Sequence, residues 1–455
     1  MCLALSYGLS TIYLYRLKTV QDRESNLSHF GLRTGLLQRS LLVHLRFFDA
    51  PERQILLMLK KARVPFYRVT SIASLMRISS RLFSSFDWLL ALSVFVLVVL
   101  GLSAQYGMTL AQESASLSIL TKQLIALFVG LLCACALVVW NYRQLQSYAR
   151  SLYVIGGVLL LSVLFFGVTR RGTTGWFDVG VFDVQPVEFV KLILILSLAS
   201  VLSRRTQRRV GWREVVMTGV PVALYAILVM FQPDFGSAAL MMGVWALMLL
   251  MAGMDRKVML WSLMGGVTLM VGSWLFLFQD FQKERVMTLL QPERDPLGIG
   301  YNVTQARIAI GSGRLWGKGL GFGSQSQLQY LPEAQTDFIF AAIAEEFGFV
   351  GVLLVLGAFL LLFWRLWMLL RRVRDDFSTF LIVGFTAMLG IQMVVNIGMN
   401  LGLVPVTGLP LPFVSYGGSS LVSSLIAFGI LESISVRTQQ GVSVDNPLDG
   451  HAVGA

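Results

Sequence analysis

The sequence has little charge for its length. Only 14% of its 455 residues are charged, whereas about 25% is usual in a soluble domain, and 55% are hydrophobic. A soluble protein needs a polar surface around its core, but the lipid-facing side of a membrane helix needs none. This composition excludes an ordinary soluble domain and predicts a membrane protein.

Histidine and cysteine are also scarce, and their positions exclude further classes of site. The three histidines, His29, His44 and His451, lie outside the long apolar runs. Histidine metal sites and Ser-His catalysis are therefore not expected in the membrane body, so acid–base chemistry there must rest on carboxylates. Cys133 and Cys135 share one apolar run, which is typical of small packing residues rather than of a disulfide framework.

What the sequence does contain is a series of apolar runs long enough to cross a bilayer, which takes about 17–25 residues. They predict an all-α polytopic membrane protein with about ten transmembrane helices. The ten runs are 88–104, 122–140, 152–168, 186–203, 215–231, 236–253, 257–279, 338–364, 378–402 and 416–436.

The net charge of +12 is concentrated before the first run. Residues 1–86 hold 13 Lys/Arg and 4 Asp/Glu, so this segment contributes +9. Attraction to anionic lipid explains such an excess without any nucleic-acid partner. The segment is interpreted either as a basic cytoplasmic extension on the membrane surface or as a start placed too far upstream, with Met76 as the alternative. Arginine-rich connections at 204–214 and 365–377 place both termini, including the tail 438–455, in the cytoplasm.

One connection is out of scale with the others. Residues 280–337 separate the seventh and eighth runs, and connections of this length are usually functional or disordered. The orientation places this large loop outside the cytoplasm. It ends in Tyr330-Leu-Pro-Glu-Ala-Gln-Thr-Asp337, directly before an apolar run.

Asp337 has two interpretations at this stage. It or Thr336 can cap the following helix, or its carboxylate can act as a general base or metal ligand at the membrane surface. Glu345 and Glu346 lie deeper in the same run, where ionisable groups are costly and either pack with hydrogen bonds or serve function.

Three further groups are candidates for binding. Glu188 and Lys191 lie on one helix face, either as a neutralising pair or with the lysine free to reach a diphosphate. Gln232-Pro-Asp-Phe-Gly-Ser237 predicts a tight turn capped by Asp234, and Trp176 can stack on a sugar or anchor at the interface. Prolines and glycines in 405–420 predict broken backbone at membrane depth, beside a cavity.

Together these segments resemble the SEDS family, the RodA, FtsW and SpoVE group of shape, elongation, division and sporulation proteins, from about Asp87 to Arg437. The five motifs, in family order, are Gln185-Pro-Val-Glu-Phe-Val-Lys191, Gln232-Pro-Asp-Phe-Gly-Ser237, Gly300-Tyr-Asn-Val-Thr-Gln305, Tyr330-Leu-Pro-Glu with Thr336-Asp-Phe338, and Gly408-Leu-Pro-Leu-Pro-Phe-Val-Ser-Tyr-Gly-Gly-Ser-Ser420. Residues 87–437 are then the ten-helix SEDS membrane domain.

The resemblance implies a peptidoglycan glycosyltransferase of the bacterial cytoplasmic membrane that polymerises lipid II and works with a class B penicillin-binding protein. It makes Asp337 the catalytic carboxylate, and the ligand of a divalent cation (Mg²⁺ or Mn²⁺) if one takes part. Lys191 and Arg285 are the cations expected to face the polyprenyl diphosphate. The other candidate substrate-binding residues are Glu188, Trp176, Gln232, Glu333, Ser415 and Ser419.

Within the family, segments such as Asn396-Ile-Gly-Met-Asn-Leu-Gly-Leu403 look most like the elongation member RodA. A division-type, FtsW-like polymerase is the alternative, and a lipid II transporter is the rival from another class. The chain departs from the family pattern at Gln335, which stands where a histidine is usual. That position cannot titrate here.

Overall fold

The computed structural model describes residues 84–110, 116–170, 172–180, 183–204, 209–276, 280–290, 298–328 and 330–440. The predicted extension over 1–86, apart from its last three residues, lies outside these ranges. So does the predicted tail beyond 440. Both stay predictions.

The described residues form a bundle of α-helices. Backbone N–H and C=O groups have no water to bond in hydrocarbon, so apolar runs satisfy them within helices. The helices are α1 (Trp88–Leu110), α2 (Ser116–Val139), α3 (Arg143–Phe166), α4 (Pro186–Ser203), α5 (Trp212–Met230), α6 (Phe235–Met251), α7 (Arg256–Phe276), α8 (Asp280–Leu290), α9 (Ile299–Ser312), α10 (Ser324–Gln327), α11 (Ile339–Arg372), α12 (Asp376–Asn400) and α13 (Gly418–Gln440).

The prediction of a ten-span, mostly helical membrane protein is confirmed. Within the described ranges nine helices are long and apolar enough to cross a bilayer, and α6, with 17 residues, is a shorter apolar helix. At 1.5 Å per residue α6 is about 26 Å long, slightly less than the roughly 30 Å hydrocarbon core of a bilayer. Residues of the turn next to α6 can span the remaining distance. α11 has 34 residues and bends at Gly348, whose φ of +65° lies in the left-handed region.

Two contacts define one end of the bundle, the Ser415 bond to Thr336 and the close approach of Gly236 to Thr407. The turn before α11, the α5–α6 turn and the start of α13 share one end, which we call the Asp337 end. α1 packs against α11, α2 against α13, and α4 against α3 and α12. Hydrogen bonds from Tyr142 to Asp375 and from Arg437 to Val138 join elements at the opposite end.

A small antiparallel sheet at the Asp337 end was not predicted. It consists of β1 (Val168–Arg170), β2 (Thr173–Asp178) and β3 (Asp183–Val184), in the order β1-β2-β3. Trp176 pairs with Val168 across the first two strands. Strands of two to six residues carry too little alternation to be predicted from sequence.

The large loop is folded rather than irregular where it is described. α8, α9 and α10 lie within 280–337, and α9 packs on α11 and α12. The Arg307 side chain on α9 donates to the carbonyl oxygens of Leu401 and Gly402, both at 3.0 Å. The loop is thereby tied to the segment that follows α12.

At the opposite end, a buried charge cluster ties α1 to α11 and α13. Arg365 contacts the Asp87 carboxylate at 2.7 Å, with side chains 15% and 4% exposed. Asp87 also caps α1 through the Leu90 N–H, and its own N–H donates to Glu432 at 2.6 Å. Asp87 thereby joins the start of α1 to α11 through its side chain and to α13 through its backbone.

We expect Arg365→Ala to lower the free energy of unfolding by about 3–5 kcal/mol, because it leaves a buried carboxylate without its cation. Thermal or denaturant unfolding in detergent measures this. Arg143→Ala is the matched control, since Arg143 is 62% exposed and 3.8 Å from Asp375, and it should cost less than about 1 kcal/mol. Equal losses in the two variants would contradict the prediction.

Candidate active site

Asp337 lies in a tight turn that leads into α11. The N–H groups of Thr336, Asp337 and Phe338 all donate to the Glu333 carbonyl, at 3.1, 3.2 and 3.2 Å. Glu333 itself has a φ of +54°, a strained conformation for a residue with a side chain. The Asp337 side chain is half-buried and Glu333 is exposed. A carboxylate is thus placed at the rim of the membrane body on a fixed backbone.

Neither Asp337 nor Thr336 occupies the N-cap position of α11. The N-cap residue is Phe338, and its side chain makes no capping bond. The N–H of Ala341, in the first turn, is instead satisfied by the Asn400 side-chain oxygen at 3.1 Å. The Thr336 hydroxyl is bonded to Glu333. The acceptor for this N–H group at the start of α11 is therefore a side chain of α12.

The broken backbone predicted over 405–420 is observed between α12 and α13, and it is buried among helices. Gln105 donates to the Val414 carbonyl at 3.1 Å, and Gln123 exchanges bonds with Ser415 and Gly417. The Tyr416 N–H donates to the Gln335 carbonyl at 2.8 Å. Side chains from two helices thereby replace the missing helical bonds and hold this segment against the Asp337 turn.

Ser415 and Ser419, both candidates for substrate binding, have hydroxyls engaged with main chain. Ser415 is 3% exposed, donates to the Thr336 carbonyl at 2.6 Å and accepts from the Leu411 N–H at 2.8 Å. Ser419 accepts from the Gln185 N–H at 2.9 Å, joining the start of α13 to the start of α4. Both contacts are structural in this state of the protein.

Glu188 and Lys191 form the predicted pair, deep in the bundle. Their charged atoms are 2.7 Å apart, and each residue is 3% exposed. Ser423 on α13 donates to the other Glu188 oxygen at 3.3 Å. Lys191 also borders a small pocket whose other lining residues are Leu194, Ile195, Leu240, Met241, Val244 and Met388. The ammonium therefore has Glu188 as its bonded partner and faces an apolar pocket on one side, and the buried Asp234 carboxylate in the α5–α6 turn also interacts with it electrostatically.

The Gln232 and Trp176 side chains form hydrogen bonds with residues outside the Asp337 turn. Gln232 is buried and donates to the Leu160 carbonyl at 3.1 Å, and the predicted cap of α6 by Asp234 is confirmed by a 2.9 Å bond from the Ser237 N–H. Trp176 is half-buried and donates to Thr173. Arg285 lies on α8, but its side chain falls outside the described ones.

The sequence left two roles open for Glu345. In the structure its side chain holds residues 318–326, the glycine-rich part of the large loop. Its carboxylate is fully buried and accepts from Lys318 Nζ at 2.9 Å and from the N–H groups of Gln325 and Ser326 at 2.9 and 3.1 Å. This loop leads directly into the Asp337 turn. Glu345 is therefore a packed, hydrogen-bonded glutamate.

The bend of α11 at Gly348 completes this contact. It releases the carbonyls of Glu345 and Glu346, which accept from the N–H groups of Lys318 and Gly319 at 2.9 and 3.0 Å. The loop also accepts, since the Phe349 and Val350 N–H groups donate to the carbonyls of Arg314 and Leu315. Backbone groups at the bend of α11 and in the loop therefore form hydrogen bonds with each other.

No group of three or more His, Cys, Asp or Glu residues is placed to hold a metal ion within the described ranges. A closed, all-protein metal site is therefore not found there. An Mg²⁺ site needs less, because this ion keeps several waters and is often bound by one or two carboxylates together with substrate phosphates. Asp337 fits that second kind of site.

The fold and site define a polytopic membrane protein with a carboxylate at one end, and the chain has clear relatives of this class. Residues 75–440 match the family model FTSW_RODA_SPOVE, described as "Cell cycle protein". The chain is 40% identical over 300 residues to peptidoglycan glycosyltransferase MrdB of Escherichia coli (strain K12), covering 64% of this chain and 79% of that protein. It is 36% identical over 356 residues to stage V sporulation protein E of Bacillus subtilis (strain 168), covering 77% and 96%.

Solved structures agree. A chain from a peptidoglycan synthase complex, described as coordinating polymerization and crosslinking, superposes with a TM-score of 0.66 at 33% identity, covering 78% of this chain and 99% of that one. The rod shape determining protein RodA of Thermus thermophilus gives 0.58 at 29% identity, covering 77% and 97%. This chain belongs to the FtsW/RodA/SpoVE family, which confirms the resemblance read from its motifs.

We expect Glu345→Ala to accelerate amide hydrogen exchange over 317–328 by at least about tenfold. One hydrogen bond to a charged group contributes about 1.5–3 kcal/mol, and tenfold corresponds to about 1.4 kcal/mol. Glu345→Gln keeps one acceptor oxygen and should show a smaller change. Glu284→Gln, at an exposed position on α8, should leave exchange in this segment unaltered. Unchanged exchange in Glu345→Ala would show that Glu345 does not hold the loop.

Proposed function

We propose that this chain is a peptidoglycan glycosyltransferase that polymerises lipid II at the outer face of the bacterial cytoplasmic membrane. The observation that carries the proposal is Asp337, a half-buried carboxylate held in a backbone-fixed turn at one end of a membrane bundle. A substrate with a polyprenyl tail keeps its sugars at such an end. The family relatives named as peptidoglycan glycosyltransferases support the same activity.

The proposed reaction transfers a glycosyl group between two lipid-linked molecules. The acceptor hydroxyl attacks the anomeric carbon of the donor, forming the new glycosidic C–O bond. The bond from that carbon to the diphosphate oxygen breaks, and the polyprenyl diphosphate leaves with the electron pair. Asp337 accepts the proton of the attacking hydroxyl, which is a poor nucleophile while it keeps that proton.

Lys191 is the cation candidate for the departing diphosphate. In this state its ammonium faces Glu188 and an apolar pocket between α4, α6 and α12. Direct contact with a diphosphate therefore requires that this pocket widen. Arg285 is proposed for the same role from its sequence position alone.

A divalent cation is also proposed, held by Asp337 together with substrate oxygens. Bound there, it would supply positive charge that lowers the pKa of the attacking hydroxyl. Holding this cation is the alternative to direct proton transfer to Asp337. Glu333, four residues earlier in the same turn, is exposed and adds negative charge nearby.

The partner and the cellular process follow from the relatives. A class B penicillin-binding protein is proposed as partner, supported by the likeness to a chain of a peptidoglycan synthase complex. Identity is 40% over 300 residues to MrdB and 36% over 363 residues to a probable FtsW of Thiomicrospira cyclica, which supports the proposal of an elongation role, RodA-like, with a division role, FtsW-like, as the alternative. The arginine-rich connections at the end opposite Asp337 support cytoplasmic termini.

Asp337→Asn should abolish polymer formation from labelled lipid II by the purified protein, because an amide cannot accept the proton. The loss expected is at least about 100-fold, within the range attributed to general-base catalysis. Gel analysis of the glycan products measures it. Asp376→Asn removes an exposed carboxylate at the opposite end of the bundle and should polymerise at the normal rate.

Two outcomes would contradict the proposal. Polymer formation that survives Asp337→Asn would remove the catalytic assignment. Transfer of lipid II across vesicles by a protein that forms no polymer would favour the transporter, which the buried Glu188–Lys191 pair and the broken segment before α13 would then serve.

The role of Lys191 can be separated from its effect on stability. Lys191→Met alone should lower the free energy of unfolding by about 3–5 kcal/mol, because it leaves Glu188 buried and unpaired. The double variant Lys191→Met with Glu188→Leu should recover most of this stability, since apolar replacement of a buried pair is often neutral. If Lys191 contacts the diphosphate, the double variant folds but does not polymerise. Recovery of activity would mean that Lys191 serves only to balance Glu188.

A further inference from the structure

The main chain on both sides of Asp337 is held by side chains from elsewhere in the bundle. In the peptide group before it, the Thr336 carbonyl accepts from the Ser415 hydroxyl at 2.6 Å and the Asp337 N–H donates to Glu333 at 3.2 Å. In the peptide group after it, the Asp337 carbonyl accepts two side-chain amides, Asn396 at 3.1 Å and Asn400 at 3.0 Å. Both planes that set φ and ψ of Asp337 are therefore fixed.

The two asparagines lie four residues apart on one face of α12, and both are fully buried. Each amide has a second bond that sets its orientation. The Asn400 oxygen accepts from the Ala341 N–H at 3.1 Å, so its nitrogen must point to Asp337. The Asn396 nitrogen also donates to the Leu409 carbonyl at 2.9 Å, in the broken segment that carries Ser415.

We infer that Asn396, Asn400 and Ser415 are positioning residues that hold the Asp337 carboxylate in its reactive place. This inference rests on the proposed function of Asp337. Because the Asp337 side chain leaves the backbone between the two held peptide planes, a shift in either plane displaces the carboxylate. A displacement of about 1 Å in a reacting group can cost about 100-fold in rate, so three buried hydrogen bonds suffice to control activity.

This assignment also changes the role of Ser415, which the motif resemblance placed among the substrate-binding residues. Its hydroxyl makes a short bond to Thr336 and accepts the Leu411 N–H, and the residue is 3% exposed. A hydroxyl committed in this way acts on the substrate only through the turn that it holds.

The test separates placement of Asp337 from general stability. We expect Asn396→Ala and Asn400→Ala each to lower kcat for lipid II polymerisation about tenfold, with KM changed less than twofold. The double variant should fall by at least about 100-fold, because no side-chain amide then holds the Asp337 carbonyl. Ser415→Ala should likewise lower kcat and not raise KM. Amide exchange at Asp337 and Phe338 should accelerate in the same variants.

Tyr153→Phe is the matched control. The Tyr153 hydroxyl donates to the Pro221 carbonyl at 3.0 Å, so this change also removes one side-chain bond to main chain, between α3 and α5. It should lower the melting temperature without lowering kcat. A control that loses as much kcat as the asparagine variants at equal loss of stability would overturn the inference. So would a raised KM at unchanged kcat, which would make the three residues a binding subsite.

Failure of the inference is distinguishable from failure of the proposed function. If Asp337→Asn is inactive while the Asn396 and Asn400 variants polymerise at the normal rate, Asp337 is catalytic and its placement does not depend on the asparagines. If Asp337→Asn keeps full activity, the proposed function of Asp337 itself is wrong.

Discussion

The structure depends on one constraint, which is that a backbone N–H or C=O group at membrane depth must find a partner inside the protein. Where the sequence is continuously apolar, the partner is the helix itself, and this accounts for the nine long apolar helices and the shorter α6 in the described part of the chain. Two places break that rule, the bend of α11 at Gly348 and the segment between α12 and α13. At both, bonds come from another part of the chain, and the second lies against the Asp337 turn.

Several buried polar side chains of the membrane body serve these breaks. Gln105 and Gln123 reach from α1 and α2 to the broken segment, and Glu345 holds the loop that meets the bend. Carboxamides suit this task because one group can both donate and accept without the cost of burying a charge. Side-chain hydrogen bonds thus hold the irregular backbone around the site in place. This is what allows the Asp337 carboxylate to have one defined position.

Much of the fold followed from sequence because hydrophobic length is a local property. The ten spans, the Asp234 cap and the Glu188–Lys191 pair depend on residues within a few positions of one another. The acceptor for the first turn of α11, Asn400, was not predicted because it lies 59 residues from Ala341. The three-stranded sheet was missed because its strands are too short to show a period. The folded state of the large loop depends on α11, which follows it.

By itself the sequence determined the membrane class, the helix count, the carboxylate at a membrane boundary and the family to which the chain belongs. Those features need only composition, run length and short motifs. Tertiary structure alone decided which partners hold the Asp337 turn, that Ser415 and Ser419 are engaged with main chain, and that Glu345 holds the loop. Hydrogen bonds between distant segments depend on how helices pack, and no local pattern records which acceptor a buried amide will face.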